Sequence, residues 1–286
     1  MNEQKVTVSV EWLHEHLHDE TLIIIDGSWH LPDAKRDPKA EYAAGHIPGA
    51  LFFDLDRHSQ QDTDLPHMMP TAEQFGREMS ELGISDQATI VIYDTTGLFS
   101  AARVWWMFRQ FGAANSFVLD GGMPAWLKAG HDLSHEQTTT SRPLAATRFN
   151  TRANSPLTLD LAMMRQALAQ ENAPLILDAR GAGRFYGRDP EPRAGLRGGH
   201  MPGAINLPFT SLLDNERKLL PVEQLEKIIA ATGFTPDRPT IASCGSGVTA
   251  AVVLLALARL GHQNIPLYDG SWSEWGALAD TPVETE

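Results

Sequence analysis

The chain has 286 residues, 42 % of them apolar, with 36 acidic against 23 basic residues and a formal net charge of −13. That length suits two domains with buried cores, and the acidic balance excludes a general nucleic-acid binder, which needs a basic face. One cysteine, Cys244, excludes an internal disulfide and suits a reducing compartment. The longest apolar run, Ala250 to Ala258, is too short to span a membrane. The N-terminus lacks a basic segment followed by a long apolar stretch, so a cytoplasmic protein without a membrane partner is expected.

In chain order, "SVEWLHEHL" reads as a helix and "LIIIDGSWH" opens with a β-branched run that reads as a strand. "EYAAGHIPGALFFDL" follows, then a helix in "TAEQFGREMSELG", a strand in "TIVIYD", and a helix in "SAARVWWMFRQFG" that stops at glycine. "FVLD" reads as a further strand, and "DGG" and Trp126 come after it. A polar, Thr-rich stretch then carries no sustained apolar period and reads as a surface linker, residues 136–155.

Beyond it the landmarks return in the same order: "PLILDARGA", "GLRGGHMPGAINLPF", "PVEQLEKIIAATG", "TIASCGSGVTAAVVLLALARLG" and "IPLYDGSWSEWGAL". The offsets are nearly constant: 152 from Asp26 to Asp178, 154 from His46 to His200, 150 from Asp94 to Cys244, and 149 from Trp126 to Trp275. The chain is a tandem duplication, with domains at 1–135 and 156–286. Alternating strands and helices predict an α/β fold in each half, a mainly parallel sheet flanked by helices, with sites at the carboxyl ends of strands.

Cys244 stands at such an end, where "TIAS" gives way to "VTAAVVLLALARLG". Gly245, Ser246 and Gly247 let the turn curl until backbone N–H groups face the sulfur. The first N–H groups of a helix lack partners and carry the positive end of its dipole. Such a cradle favours a thiolate, which is a nucleophile. A free cysteine is more often a small buried hydrophobe, but packing alone does not require the two glycines.

Five arginines lie between Arg180 and Arg197, namely Arg180, Arg184, Arg188, Arg193 and Arg197, in a Gly/Pro-rich loop of an acidic protein. Guanidinium forks recognise carboxylates, so at least two are expected to face an anionic substrate, while Asp189 and Glu191 can pair with others. His46 and His200 share a "GH-x-PGA" context. His200 is expected to be structural. His46 is a candidate to reach between the halves, with Asp37 as its orienting carboxylate. Trp126 and Trp275, placed alike in both halves, are expected in the core or at the interface. No HExxH, CxxC or phosphate-loop pattern occurs, so neither a metal nor a nucleotide cofactor is expected.

These residues resemble the two-domain sulfurtransferases of the rhodanese superfamily, over nearly the whole chain. "CGSGVTA" and "GRFYGRDPEPR" resemble the branch that uses 3-mercaptopyruvate, whereas the thiosulfate-using branch places basic residues after the cysteine. The resemblance implies two rhodanese-like domains with one active site between them. The first is catalytically silent, because Asp94 stands in place of the cysteine. It further implies a Cys244 persulfide, release of pyruvate, and transfer of sulfur to cyanide, a small thiol or a thioredoxin-like protein. Arg184 and Arg193 would hold the donor, the loop from Gly245 through Gly247, Val248 and Thr249 would stabilise anionic sulfur, and Ser246, His46 and Asp37 would form a proton relay. Thiosulfate:cyanide sulfur transfer and a non-enzymatic persulfide carrier are the competing readings. A cysteine phosphatase would need arginine at position 250, which is alanine.

Overall fold

The computed structural model describes residues 5–136, 147–152 and 157–286. The first half contains β1 (Thr7–Val8), α1 (Val10–His16), β2 (Leu22–Asp26), α2 (Pro38–Ala44), β3 (Ala50–Phe52), α3 (Ala72–Glu81), β4 (Thr89–Tyr93), α4 (Ala101–Gln110), β5 (Ser116–Leu119) and α5 (Gly122–Lys128). The second contains β6 (Thr158–Leu159), α6 (Leu161–Leu168), β7 (Leu175–Asp178), α7 (Ala182–Phe185), β8 (Ala204–Asn206), α8 (Val222–Ala230), β9 (Thr240–Ser243), α9 (Ala250–Arg259), β10 (Leu267–Tyr268) and α10 (Ser271–Trp275). Each half forms a five-stranded sheet, in the orders β1-β5-β4-β2-β3 and β6-β10-β9-β7-β8. All neighbouring strands are parallel. The expected α/β architecture is therefore present twice. The two-residue strands at the sheet edges are too short to leave a periodic signal in the sequence.

The central strands are apolar on both faces because helices cover both faces. Side chains alternate between the two sides: Ile23, Ile25, Ile90 and Ile92 face a core shared by both halves. Ile24 and Val91 face a separate outer core with Leu13 and Trp126. The second sheet repeats this, with Ile176 and Ile241 packed outward with Trp272 and Trp275. Trp126 and Trp275 thus lie in the outer cores, their indole N–H groups donating to Asp132 O and Pro282 O.

The shared core forms around α4 and α9. Every residue from Ala250 to Ala258 is buried, which is how a helix apolar all round behaves when it has sheet on one side and another helix on the other. α4 is buried from Ala101 to Phe108, and that run includes the charged Arg103. Of the expected linker, residues 137–146 and 153–156 lie outside the described residues. The part from 147 to 152 docks on the first half: Phe149 is buried against Phe75 and Phe108, and its N–H donates to Ser80 Oγ. Among the described residues, no helix is long and apolar enough to cross a membrane.

Candidate active site

Both sheets present a strand-to-helix loop at the carboxyl edge, and comparing the two shows what the loop does. In the first half Asp94 follows β4. Its carboxylate accepts from Thr96 N at 2.9 Å, Thr96 Oγ1 at 2.8 Å, Phe99 N at 2.8 Å and Ala101 N at 2.9 Å. The loop is a ring of donors closed on its own anion. In the second half Cys244 follows β9 and is 1 % exposed. The N–H groups of Gly245, Ser246, Val248 and Thr249 have no acceptor among the described residues. They remain available to negative charge at the sulfur.

The loop is braced from behind. Ser271 Oγ accepts from Cys244 N at 3.3 Å and Gly247 N at 3.2 Å, and donates to Tyr268 O. Ser273 N and Oγ both donate to Gly245 O. Gly247 sits at φ 74°, in the left-handed region that favours glycine. A Cβ on it would lie 3.0 Å from Arg103 Nη1.

A small cavity of about 70 Å³ opens onto Cys244, lined by Trp29, Phe99, Arg184, Arg193, Ser246 and Thr249 among others. Arg184 donates from Nε and Nη2 to Glu191 at 3.1 and 2.5 Å. Arg193 has no hydrogen-bonded or ion-paired partner among the described residues. Burial lowers its pKa from the usual value, with Cys244, Asp56 and Glu191 pulling the other way. The remaining arginines of the loop have structural partners. Arg180 is buried on Asp178 and Glu191 and lies over Trp272. Arg197 donates to the carbonyls of Trp275, Gly276 and Thr281. Arg188 lies over Tyr186.

The structure gives a reason for glycine at 245. A Cβ there would come within 2.9 Å of Arg184 Nη2. Arg184 is anchored to Glu191, so a larger residue and this arginine compete for the same space. Gly245→Ala is therefore expected to leave the melting temperature nearly unchanged, since the clash is with a side-chain end. It should raise KM for an anionic donor several-fold, roughly 1 kcal/mol of lost binding, measured in steady-state kinetics.

The expected relay needs correction. His46 does not meet Ser246. Its Nδ1 pairs with Tyr42 O at 2.9 Å and its ring stacks on Tyr42. Its backbone pairs with Ser134, as that of His200 pairs with Glu284. The duplicated "GH-x-PGA" histidines tie a tail segment to each domain, and His200 repeats the arrangement with Phe185. Asp37 caps α2 by accepting from Lys39 N and Ala40 N.

The group that reaches Ser246 is His67, from the loop before α3. Its Nδ1 lies 3.0 Å from Ser246 Oγ and its Nε2 3.0 Å from Asp56 Oδ1. Asp56 also accepts from Trp29 Nε1. His67 is 3 % exposed, and burial pushes its pKa below the ordinary value despite the opposing pull of Asp56. The hydrogen bond from His67 holds the Asp56 carboxyl below its own usual range. Both directions agree on a neutral imidazole beside a carboxylate. With Nε2–H donated to Asp56, Nδ1 accepts from the Ser246 hydroxyl, and Ser246 O stands 3.3 Å from the same nitrogen. No local motif marks His67, which lies in "DLPHMMP". A signal existed, however: the duplicate position is Arg217, so the two halves differ there as they do at Asp94 and Cys244. Among the described residues, no group of three or more His, Cys, Asp or Glu is placed to hold a metal ion.

Residues 9–129 and 161–278 each match the rhodanese-like domain family. The chain is 45 % identical to the 3-mercaptopyruvate sulfurtransferase of Escherichia coli K12, covering 97 % of both chains. It is 42 % identical to thiosulfate/3-mercaptopyruvate sulfurtransferase 1, mitochondrial, of Arabidopsis thaliana, covering 97 % of this chain and 78 % of the relative. The crystal structure of SseA from Escherichia coli superposes with a TM-score of 0.83 at 40 % identity, over 95 % of this chain and all of that one.

Proposed function

The chain belongs to the rhodanese-like family, and from that premise we propose that it is a sulfurtransferase that takes sulfur from 3-mercaptopyruvate through a persulfide on Cys244. The observation that carries this reading is the Arg193 guanidinium, without a hydrogen-bonded or ion-paired partner among the described residues, in the same small cavity as Cys244 and a loop whose amides have no acceptor there. The donor is a thiol with a carboxylate. Arg184 and Arg193 orient that carboxylate, so that its sulfur meets the Cys244 thiolate. The Cys244 Sγ–S bond forms as the C–S bond breaks, and the electron pair leaves on carbon as the pyruvate enolate. Ser246 takes the donor's S–H proton, handing its own to His67 Nδ1, and the proton returns along the same path to the enolate. The free loop N–H groups stabilise the anionic persulfide. A thiol acceptor or cyanide then attacks the outer sulfur and restores the Cys244 thiolate. A lone thiol that cycles in this way suits a reducing compartment such as the cytoplasm.

Mass spectrometry after donor treatment tests the step directly: about 32 Da on Cys244 is expected, and an unmodified Cys244 would defeat the reading. Arg184→Ala and Arg193→Ala are each expected to raise KM for 3-mercaptopyruvate by roughly tenfold or more, with a smaller change in kcat. An unchanged KM would reject that arginine's role. Thiosulfate is a second donor favoured by the double name of the Arabidopsis relative. It is a poorer fit because no cation follows Cys244 in the loop. Comparing kcat/KM on the two donors decides the order, and better use of thiosulfate would reverse it.

A further inference from the structure

We propose that Arg103 and Asp269 are positioning residues, a buried ion pair that holds His67 against Ser246 across the two domains; this rests on the sulfur-transfer reading above. His67 comes from the first domain and Ser246 from the second, so their 3.0 Å contact depends on how the segment at 67–69 is held. Asp269, of the "YDGS" motif after β10, accepts from Met69 N at 2.6 Å through Oδ2 and from Arg103 Nη2 at 2.8 Å through Oδ1. Arg103, on α4, also donates from Nη2 to His67 O at 2.5 Å. The peptide that carries the histidine is thereby held at the His67 carbonyl and again two residues on, at the Met69 amide. Arg103 is fully buried, and Asp269 is 2 % exposed.

The duplication separates what this grip owes to the fold from what it owes to the site. Asp120, Leu219 and Arg217 are the equivalents of Asp269, Met69 and His67, at offsets of 149 or 150 residues. Asp120 Oδ1 accepts from Leu219 N at 3.0 Å, and Arg217 has φ 62° where His67 has φ 61°. Each domain thus hands a left-handed residue and the loop after it to the aspartate of the other domain's "DG" motif. The exchange is a property of the fold. The buried arginine is not, because Val252 stands in α9 where Arg103 stands in α4. The charge is present on the side that offers a histidine to a cysteine loop. On the side where Asp94 closes its own ring no arginine stands at that helix position, and the cations that act on Asp120 are instead Arg259 and Lys218.

Burying a guanidinium with Nε and Nη1 unpartnered is costly, and a merely structural contact would be served by an apolar side chain, as at Val252. Arg103 Nη1 faces Gly247, where even a Cβ would come within 3.0 Å. The arginine therefore touches both halves of the relay, the His67 backbone and the loop that bears Ser246. His67 is faced by Asp56, Ser246, Arg103 and Arg193, so the ion pair also sets part of the field at the imidazole.

The test uses the full chain and two variants, Arg103→Met/Asp269→Asn, which removes both charges at nearly constant volume, and Asp269→Asn alone, which keeps an acceptor oxygen. With 3-mercaptopyruvate and cyanide, the double variant is expected to lose about tenfold or more in kcat with KM changed less than about twofold, because the arginine cavity is untouched. The single variant should lose less, in the same parameter. Histidine ring ¹⁵N spectra, with the His67 signal assigned by His67→Asn, supply a readout that does not depend on turnover. In the unmutated protein they should show one tautomer, protonated on Nε2, and in the variants a mixture. If the double variant does not fold, Asp269→Asn decides by the same two measurements. Unchanged kcat and an unchanged tautomer in a folded variant would overturn the proposal. If the unmutated protein releases no pyruvate, the sulfur-transfer reading fails instead, and the tautomer comparison still decides the positioning.

Discussion

Cys244→Ser is expected to abolish sulfur transfer, lowering kcat by on the order of 10⁴-fold or more, with no persulfide detectable by mass spectrometry. The alcohol is nearly isosteric, so folding should be retained. It fails because an alcohol is a far weaker nucleophile toward sulfur than a thiolate and cannot carry the sulfur as a persulfide. The open amides of Gly245, Ser246, Val248 and Thr249 stabilise an anion once formed but do not remove the proton of an alcohol. A complementary exchange separates nucleophile from cradle. Cys244→Asp should copy Asp94, whose carboxylate takes three backbone N–H groups and one hydroxyl of its own loop. It is expected to be inactive yet at least as thermally stable as Cys244→Ser near neutral pH. A large loss of melting temperature would show that the second loop is not the same ring of donors.

His67→Asn is expected to cost about 10²- to 10⁴-fold in kcat, whereas His46→Asn should leave kcat and KM close to those of the unmutated enzyme. His67 is the group in contact with Ser246, and His46 is committed to Tyr42. Reversal of these two results would restore the relay expected from the sequence. The pH dependence follows from the same residue. Burial holds the His67 pKa below its usual value of about 6.5, so the base stays neutral through the neutral range. Rate should fall only on the acid side, as the imidazole protonates, at a pH below that value. Stability follows with the same sign: below about pH 6.5 the unfolded chain takes up a proton that the folded one refuses. Unfolding should therefore become easier as pH drops through that point, with no contribution from His67 above it. Asp56→Asn removes the carboxylate that favours the imidazolium, so the acid limb should move to still lower pH, while kcat falls as the tautomer is lost.

Much of this protein was legible in the chain because its determinants are local. Strands such as "LIIID" and "TIVIY" declare themselves by β-branched runs between helical periods. The strand-to-helix position of Cys244 follows from its immediate neighbours, and the two glycines beside it are read from sterics alone. The five arginines from Arg180 to Arg197 stand out as cations in an acidic chain, but charge alone does not separate them: Arg184 and Arg193 are singled out by the family resemblance, and Arg180 is locked on Asp178. The short edge strands and the docking of Phe149 did not show, because a two-residue strand has no period and a single aromatic in a polar stretch makes no pattern.

Duplication was determined by sequence, and so was the asymmetry between Asp94 and Cys244, because both are comparisons of one half with the other. The partner of Ser246 was decided by tertiary structure. His46 and His67 are both histidines in turns, and nothing within a few residues of either separates a ring held by its own helix from one delivered across a domain boundary. That delivery depends on a contact 179 residues apart in the chain and on Asp269 and Arg103 meeting from different domains. Interactions of that range are set by how two sheets pack through α4 and α9, which no local pattern encodes.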